Sequence, residues 1–563
     1  MAITALIIEN FKGIREPVRV ELKPITLLFG PNSAGKSTIV QALHYAREIF
    51  ERQNLNPDKT LLGGDSIDLG GFESLVHQHD LSLPVILRFD LDLTDEDLPA
   101  HDETQYIEDR DTPGSVGLKL SAVPARITAM QVEVKVRWSE QLAKPFIELY
   151  RVEANGHYLL AIRASADDKS LRFDINPYNP IFLHENVMPE EAEEALCQMY
   201  EAENDDPQFK VGVLCWAWQE LTDSFDGSGL YSFDIAGGLE SALPEEHAAI
   251  VFNFPEWIFS ISDPRDKKEQ LRIAEEKKSH AAFTHNLGLL LTSLIAGPCG
   301  VIRNSLKNFC YVGPLREVPA RGHKPVSSPD ASRWANGLAA YDTLFFSDET
   351  FISRVNDWLA GAERLDSGYS VEVKKYRELE NDHPLMLAML QGRILDEEMD
   401  LRAQLLALPV LRRLLIRDEA SDIELAPQDI GVGISQVLPV VVAALHHKTG
   451  IVAIEQPELH IHPAFQVALG DLFIEQIRQR QDIIFILETH SEHLMLRFLR
   501  RIRETSDKEA PEGLTLTPSE LSIYFIEREE GGISCHSIRV DEDGDFIDRW
   551  PKGFFAERAK ELF

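Results

Sequence analysis

Apolar positions along the chain change period several times, and each change predicts a different element. Near the start, Ala5 to Phe11 and Val18 to Leu22 read as strands. The unbroken apolar run Ile25 to Phe29 reads as a buried strand that delivers the chain into a glycine-rich turn. From Lys36 to Phe50 the period becomes helical, with Ile39, Ala42, Leu43, Ala46 and Ile49 on one face. Between Val85 and Val136 the stretches VILRFDLDL and MQVEVKVRW alternate apolar with polar residues, which predicts antiparallel strands. Residues from about Lys267 to Asn308 look helical and run into the turn-rich segment YVGPLREVPARGHKP, where a boundary is expected.

The last third alternates strand and helix. A helix is expected from near Ser435 through VLPVVVAALHH, then the strand IVAI and a helix from Pro463 to Arg480. The strand IIFILE and a helix from Ser491 to Arg503 follow. This order predicts α/β architecture around a parallel sheet. Leu521 to Val540 reads as a strand pair turning at Glu530 to Gly532, and no internal repeat is visible.

Composition narrows this picture. A chain of 563 residues is too long for one core and suggests two to four units, and its 44% hydrophobic and 26% charged content belongs to a folded protein. Lys and Arg number 56 against 92 Asp and Glu, a net charge of -36, so most of the surface repels nucleic-acid backbones. DNA remains a possible partner only through a local basic face, for which Arg497, Arg500, Arg501 and Arg503 form the candidate run. The acidic stretch Glu190 to Asp206 reads as a solvated helix and loop. Five scattered cysteines without a CxxC pair argue against disulfides and structural zinc. The start MAITALIIENFKGI turns polar within ten residues, unlike a signal peptide, and no apolar stretch reaches the ~18 residues of a membrane span. A cytoplasmic protein without membrane contact is expected.

The chemistry lies in four segments. GPNSAGKST fits G-x-x-x-x-G-K-[ST] between a strand and a helix, the setting in which backbone N–H groups curl around phosphate oxygens. Gly30, Asn32, Ser33, Ala34, Gly35, Lys36, Ser37 and Thr38 are the expected ATP contacts, with Lys36 on the β and γ phosphates and Ser37 on Mg²⁺. IVAIEQPELHIHP ends a buried strand in Glu455, a second candidate Mg²⁺ ligand. IIFILETHSEH ends another in Glu488 and Thr489, and the next residue, His490, is placed to sense the γ phosphate. In DIGVGISQVLP, Gly431, Gly433 and Ser435, followed by Gln436, are expected just ahead of a helix, as a further anion site or a plain helix cap.

In this order the segments resemble the ABC-type ATPases of the SMC and RecF class, which include the overcoming-lysogenization-defect proteins. The resemblance covers roughly residues 1–90 and 425–505. It implies an ABC-type head with a mixed sheet, and a head-to-head homodimer or higher oligomer in which Gly433, Ser435 and Gln436 complete the partner's ATP site. Under it the chain divides into two halves of a head (1–90 and 425–505), an inserted α+β region (91–310), a connecting helical and β region (311–424) and a small β-containing C-terminal domain (506–563). The interval between Lys36 and Glu455, a spacing of 419 residues, contains many prolines and no sustained heptads, so a globular insertion is expected rather than a coiled coil. IEQPELHIHP, YVGPLRE and RWPKGFF are also similar to a bacterial group with a C-terminal domain of unknown function. Its relatives include PtuA-like anti-phage ATPases of Septu systems and some retrons, which act with a separate HNH nuclease. That resemblance implies a nucleotide-gated switch for a partner nuclease; a DNA-repair or DNA-end-binding ATPase is the alternative.

Three further expectations follow. ABC-type enzymes carry a catalytic Glu where this chain has Gln456, which orients water but cannot take its proton, so hydrolysis should be slow. Glu458 is the candidate substitute base, Gln78 the candidate water- and metal-sensing glutamine, and Lys12 a candidate nucleotide contact. Glu527, Glu529, Asp541, Glu542, Asp543 and Asp545 imitate the acids of a TOPRIM nuclease, but the segment reads as a hairpin where that domain needs a glycine turn and helix.

Overall fold

The computed structural model describes residues 2–57, 69–94, 98, 122–164, 171–176, 179–182, 231–235, 290–291, 293–383, 386–387, 390, 406–480 and 482–551. The acidic stretch Glu190 to Asp206 and most of the expected helix before residue 290 lie outside them.

The chain begins with β1 (Ile3–Glu9), β2 (Val18–Glu21) and β3 (Ile25–Phe29), turns through the glycine-rich loop and enters α1 (Lys36–Phe50). The short helix α2 (Gly71–Leu75) precedes a run of antiparallel strands. These are β4 (Val85–Asp92), β5 (Ala129–Ser139), β6 (Lys144–Ala154), β7 (His157–Ala164), β8 (Leu171–Ile175) and β9 (Tyr231–Ile235). With β1 and β2 they form one eight-stranded sheet in the order β2-β1-β4-β5-β6-β7-β8-β9. The expected boundary at residue 90 falls inside β4, and the strands of the inserted region pair directly onto the N-terminal ones. The insertion is therefore an extension of a sheet that the N-terminus starts.

Helical residues 293–307 lead to β10 (Cys310–Val312). Three helices follow, α3 (Ala331–Ala335), α4 (Leu338–Phe346) and α5 (Glu349–Ala360). A small sheet of β11 (Tyr369–Tyr376), β12 (Leu411–Asp418) and β13 (Ile423–Leu425) comes next. The C-terminal third supplies α6 (Val432–His446), β14 (Gly450–Glu455), α7 (Pro463–Gln479), β15 (Ile483–Glu488) and α8 (Glu492–Ser506), then the hairpin β16 (Leu521–Glu529) and β17 (Gly532–Ser537).

Strands from both ends of the sequence meet in a six-stranded sheet of order β10-β14-β15-β3-β16-β17. It is parallel except at β17, as the alternation of strand and helix predicts. Strands β3, β14 and β15 are buried at every position because both faces are covered. Leu28, Ile451, Ala453, Ile484 and Ile486 face one core with α1 and the eight-stranded sheet. Leu27, Phe29, Val452, Ile454, Phe485 and Leu487 face a second core with α6, α7 and α8.

Within residues 506–563, expected as a small C-terminal domain, β16 lies beside β3 in the central sheet. The hairpin itself forms as expected, with its turn after Glu529. Within it Ile533 donates its N–H to the Gly13 carbonyl at 2.8 Å. A Cβ added at either Gly13 or Gly35 would meet the Ile533 side chain at 2.5 or 2.1 Å, so the hairpin is fitted against the glycine-rich loop. Among the described residues no helix is long and apolar enough to cross a membrane.

Candidate functional site

The parallel order places the C-terminal ends of β3, β14 and β15 side by side, with the loops that follow them at one edge of the sheet. The turn after β3 needs glycine twice. Gly30 has φ 149° and a Cβ there would lie 2.1 Å from the Ile526 carbonyl oxygen, while Gly35 caps α1 with φ 101°. Ser33 also has positive φ, at 61°, and Pro31, Asn32 and Ser33 form an exposed tip over buried Ala34. Lys36, at 4% exposure, curls back to donate to the carbonyls of Gly30 and Pro31 at 3.1 and 3.0 Å. Ser37 and Thr38 follow in the first turn of α1.

Two acids face this loop. Glu455 and Glu488 end β14 and β15 in register with each other, and both are buried. Ser37 donates to a Glu488 carboxylate oxygen at 2.8 Å, and Lys36 Nζ stands 3.7 Å from the other oxygen. Tyr311 of β10 hydrogen-bonds the Glu455 carboxyl. Burial, and then the neighbouring Glu488 charge, push the Glu455 carboxyl up to about 7. Glu488 is raised chiefly by burial, and burial lowers the Lys36 ammonium. Glu488 was not assigned a role from the sequence; its signal was the shared ending of two apolar strands in Glu.

A hydroxyl and two carboxylates form a hard oxygen donor set that suits Mg²⁺, and Lys36 brings a cation to the same place. His490 adds a second sign. Among the described residues its Nε2 is buried without a hydrogen-bond partner, and burial, with the Lys36 charge, lowers its pKa. The residues therefore fit Mg²⁺ with a nucleotide phosphate.

Glu458 lies under the turn that follows β15. One carboxylate oxygen accepts the His490 backbone N–H at 2.6 Å and the other accepts the Thr489 hydroxyl at 2.8 Å. Both oxygens anchor the turn that carries His490. Gln456 has φ 46°, donates its N–H to the Glu488 carbonyl at 2.7 Å and lies between the two acids and the start of that anchor.

Arg316, from YVGPLRE, was missed as a site residue because a lone Arg in a turn-rich segment carries no spacing signal. It is 4% exposed and donates to the Glu455 and Gln456 carbonyls at 2.6 and 3.1 Å. It also donates to the Gln436 carbonyl at 3.3 Å.

The glycine-serine segment differs from expectation. The helix starts at Val432, so Gly433, Ser435 and Gln436 lie in its first turns rather than ahead of it. Ser435 is 3% exposed and its hydroxyl bonds back to the Val432 carbonyl at 2.9 Å, while the Gln436 side chain is turned inward to the Arg316 backbone. Gly431 and Val432 are the exposed part of the segment.

Gln78 is not joined to the acids. It is exposed in a left-handed turn, His77 to His79, with φ 55°, and no contact among the described residues links it to Ser37 or Glu455. In the basic run on α8, Arg497 and Arg501 are held against Asp471, while Arg500 and Arg503 are exposed. Arg501 forms a bidentate pair with Asp471 at 2.8 and 2.7 Å, and Arg497 shares that acid at 3.4 Å. Arg500 bonds Glu504, and Arg503 bonds the Asp543 carbonyl.

Residues 1–87 and 361–495 match a family model described as AAA ATPase domain. The matched residues contain the glycine-rich loop, Glu455 and Glu488. Residues 516–563 match a second model, described as a protein of unknown function (DUF3696), which includes the hairpin beside the glycine-rich loop. No curated protein matches the chain. Solved structures similar to it include the SmcHead bound to the C-winged helix domain of ScpA, at 10% identity, TM-score 0.36, covering 96% of this chain and 98% of that one. Another is the Smc head domain with an extended coiled coil from Pyrococcus furiosus, bound to the C-terminal domain of ScpA, at 9% identity, TM-score 0.34 and coverage of 100% and 98%. The SMC head domain from Thermotoga maritima is similar at 8% identity, TM-score 0.32 and coverage of 96% and 100%. Scores of this size establish no common arrangement over the whole chain.

Proposed function

We propose that the chain is an ATP-gated switch that binds ATP with Mg²⁺, hydrolyses it slowly as a head-to-head dimer, and controls a partner nuclease in anti-phage defence. The observation that supports the slow step is that both oxygens of Glu458, the nearest substitute for a carboxylate base at Gln456, accept hydrogen bonds from Thr489 and the His490 backbone. Lys36 and the loop amides hold the phosphates. Ser37, Glu455 and Glu488 hold Mg²⁺, which when bound supplies neutralisation of phosphate charge. His490 offers its buried Nε2 to the terminal phosphate, and Gln456 orients water. A site that keeps its nucleotide for long intervals suits a timed contact with an effector.

The net charge of -36 and the pairing of Arg497 and Arg501 with Asp471 weigh against direct action on DNA. The antiparallel β16–β17 pair weighs against an in-chain TOPRIM nuclease. The test is retention of a co-expressed HNH nuclease on the tagged chain with ATP and Mg²⁺ compared with ADP. ATP-dependent retention supports the switch. Salt-sensitive DNA binding by the chain alone, without nuclease retention, transfers support to the DNA-repair reading.

A further inference from the structure

Arg316 occupies an unusual position for a buried cation. Its guanidinium bonds three main-chain carbonyls instead of a carboxylate, two on the end of β14 (Glu455 and Gln456) and one on α6 (Gln436). Its own backbone completes the link, since the Arg316 N–H donates to the Gln436 side-chain oxygen at 3.4 Å and the Gln436 amide donates to the Arg316 carbonyl at 2.8 Å. The residue thus spans the helix that carries the glycine-serine segment and the strand end followed by Gln456.

The strand end needs this support. Gln456 is held at φ 46°, a left-handed conformation that costs free energy in a residue with a side chain. Its carbonyl bonds Arg316 and its N–H bonds the Glu488 carbonyl, so residue 456 is fixed from both sides. Any shift of the first turns of α6 moves the Gln436 carbonyl and side chain, and with them the guanidinium that sets Gln456.

We propose that Arg316 is a positioning residue that couples the glycine-serine segment of α6 to Gln456, so that engagement of that segment sets the geometry of the water-orienting glutamine. The role rests on the ATPase reading above and concerns turnover rather than nucleotide affinity. The planar fork matters more than the charge, because two separate guanidinium nitrogens reach α6 and the end of β14, whereas the donors of an ammonium sit on one atom.

The experiment uses the full chain with Arg316→Ala, Arg316→Lys, Gln436→Ala and the Arg316→Ala, Gln436→Ala double variant. Equilibrium ATP binding and single-turnover hydrolysis are measured for each, with thermal melting as a check on folding. Arg316→Ala and Gln436→Ala are expected to slow hydrolysis about 10- to 100-fold, the cost of a small misplacement at a reacting centre, with ATP affinity held within about threefold. The double variant is expected to be no slower than the worse single one, and Arg316→Lys to melt like the parent yet stay slow. Parental turnover in either Arg316 variant, or losses that multiply in the double variant, overturns the coupling. If Arg316→Ala fails to fold, Arg316→Lys and Gln436→Ala decide by the same criteria. A parent chain that binds no ATP overturns the site reading instead.

Discussion

Gln456 and Glu458 lie two residues apart, and their surroundings divide the labour. Under the proposed function, replacing Gln456 by Glu supplies a base beside the attacking water and is expected to raise the single-turnover rate at least about tenfold. An unchanged rate would mean that water is not held there. Glu458 tests the opposite way. In Glu458→Gln the amide oxygen can still accept from His490 N–H and the amide nitrogen can donate to Thr489 Oγ1, so turnover is expected to stay within about threefold. A loss of about 100-fold or more in that variant would identify Glu458 as the base. From sequence, Glu458 was legible only as a nearby acid; that its oxygens are taken depends on a turn from a distant strand folding over it.

Elements carry the next set of consequences. Helix α1 leans on β10 through His44, whose ring lies 4.7 Å from Phe309 and 5.0 Å from Tyr311, with Nε2 unpartnered. Burial, helped by the Arg47 and Arg52 charges, pushes the His44 pKa down to about 3. The unfolded chain takes up this proton near pH 6.5, while the folded one resists it to about pH 3. Stability from this site is therefore complete above pH 6.5 and is lost as pH falls toward 3. Denaturant unfolding across that range should show His44→Leu losing less stability on acidification than the parent; parallel curves would contradict the assignment. The strand and helix elements near the site were legible because unbroken apolar runs such as Ile483–Glu488 and the helical period of α1 are set by burial alone. The start of α6 was misplaced by three residues because Gly431 and Gly433 mimic a loop, whereas the backbone of Val432 to Ser435 closes a helical turn.

At the scale of the whole molecule, the head is assembled from both chain ends. Strand β3, which carries the phosphate loop, lies between β15 and β16, and the Tyr524 hydroxyl accepts from the Glu21 N–H at 2.7 Å. Truncation after Ala510 removes β16 and β17 and exposes one edge of β3, so the shortened chain is expected to aggregate or lose ATP binding, measured by size-exclusion chromatography and equilibrium binding. A soluble truncated chain with parental ATP affinity would show that the hairpin is dispensable. Sequence pattern revealed this hairpin and its turn but not its place, since pairing between residues some 500 apart leaves no mark on local periodicity. The same limit hid the continuity of β1, β4 and β5 and the meeting of Arg316 with Gln436.

The account depends above all on nucleotide held by Lys36 at the loop after β3. Isothermal titration of ATP with Mg²⁺ into the parent chain and into Lys36→Ala tests it most directly. The parent is expected to bind one ATP per chain, and Lys36→Ala to lose at least about tenfold in affinity, the worth of charge-assisted bonds from one ammonium to phosphate. Equal affinity in the two proteins, or no binding by the parent, would contradict it.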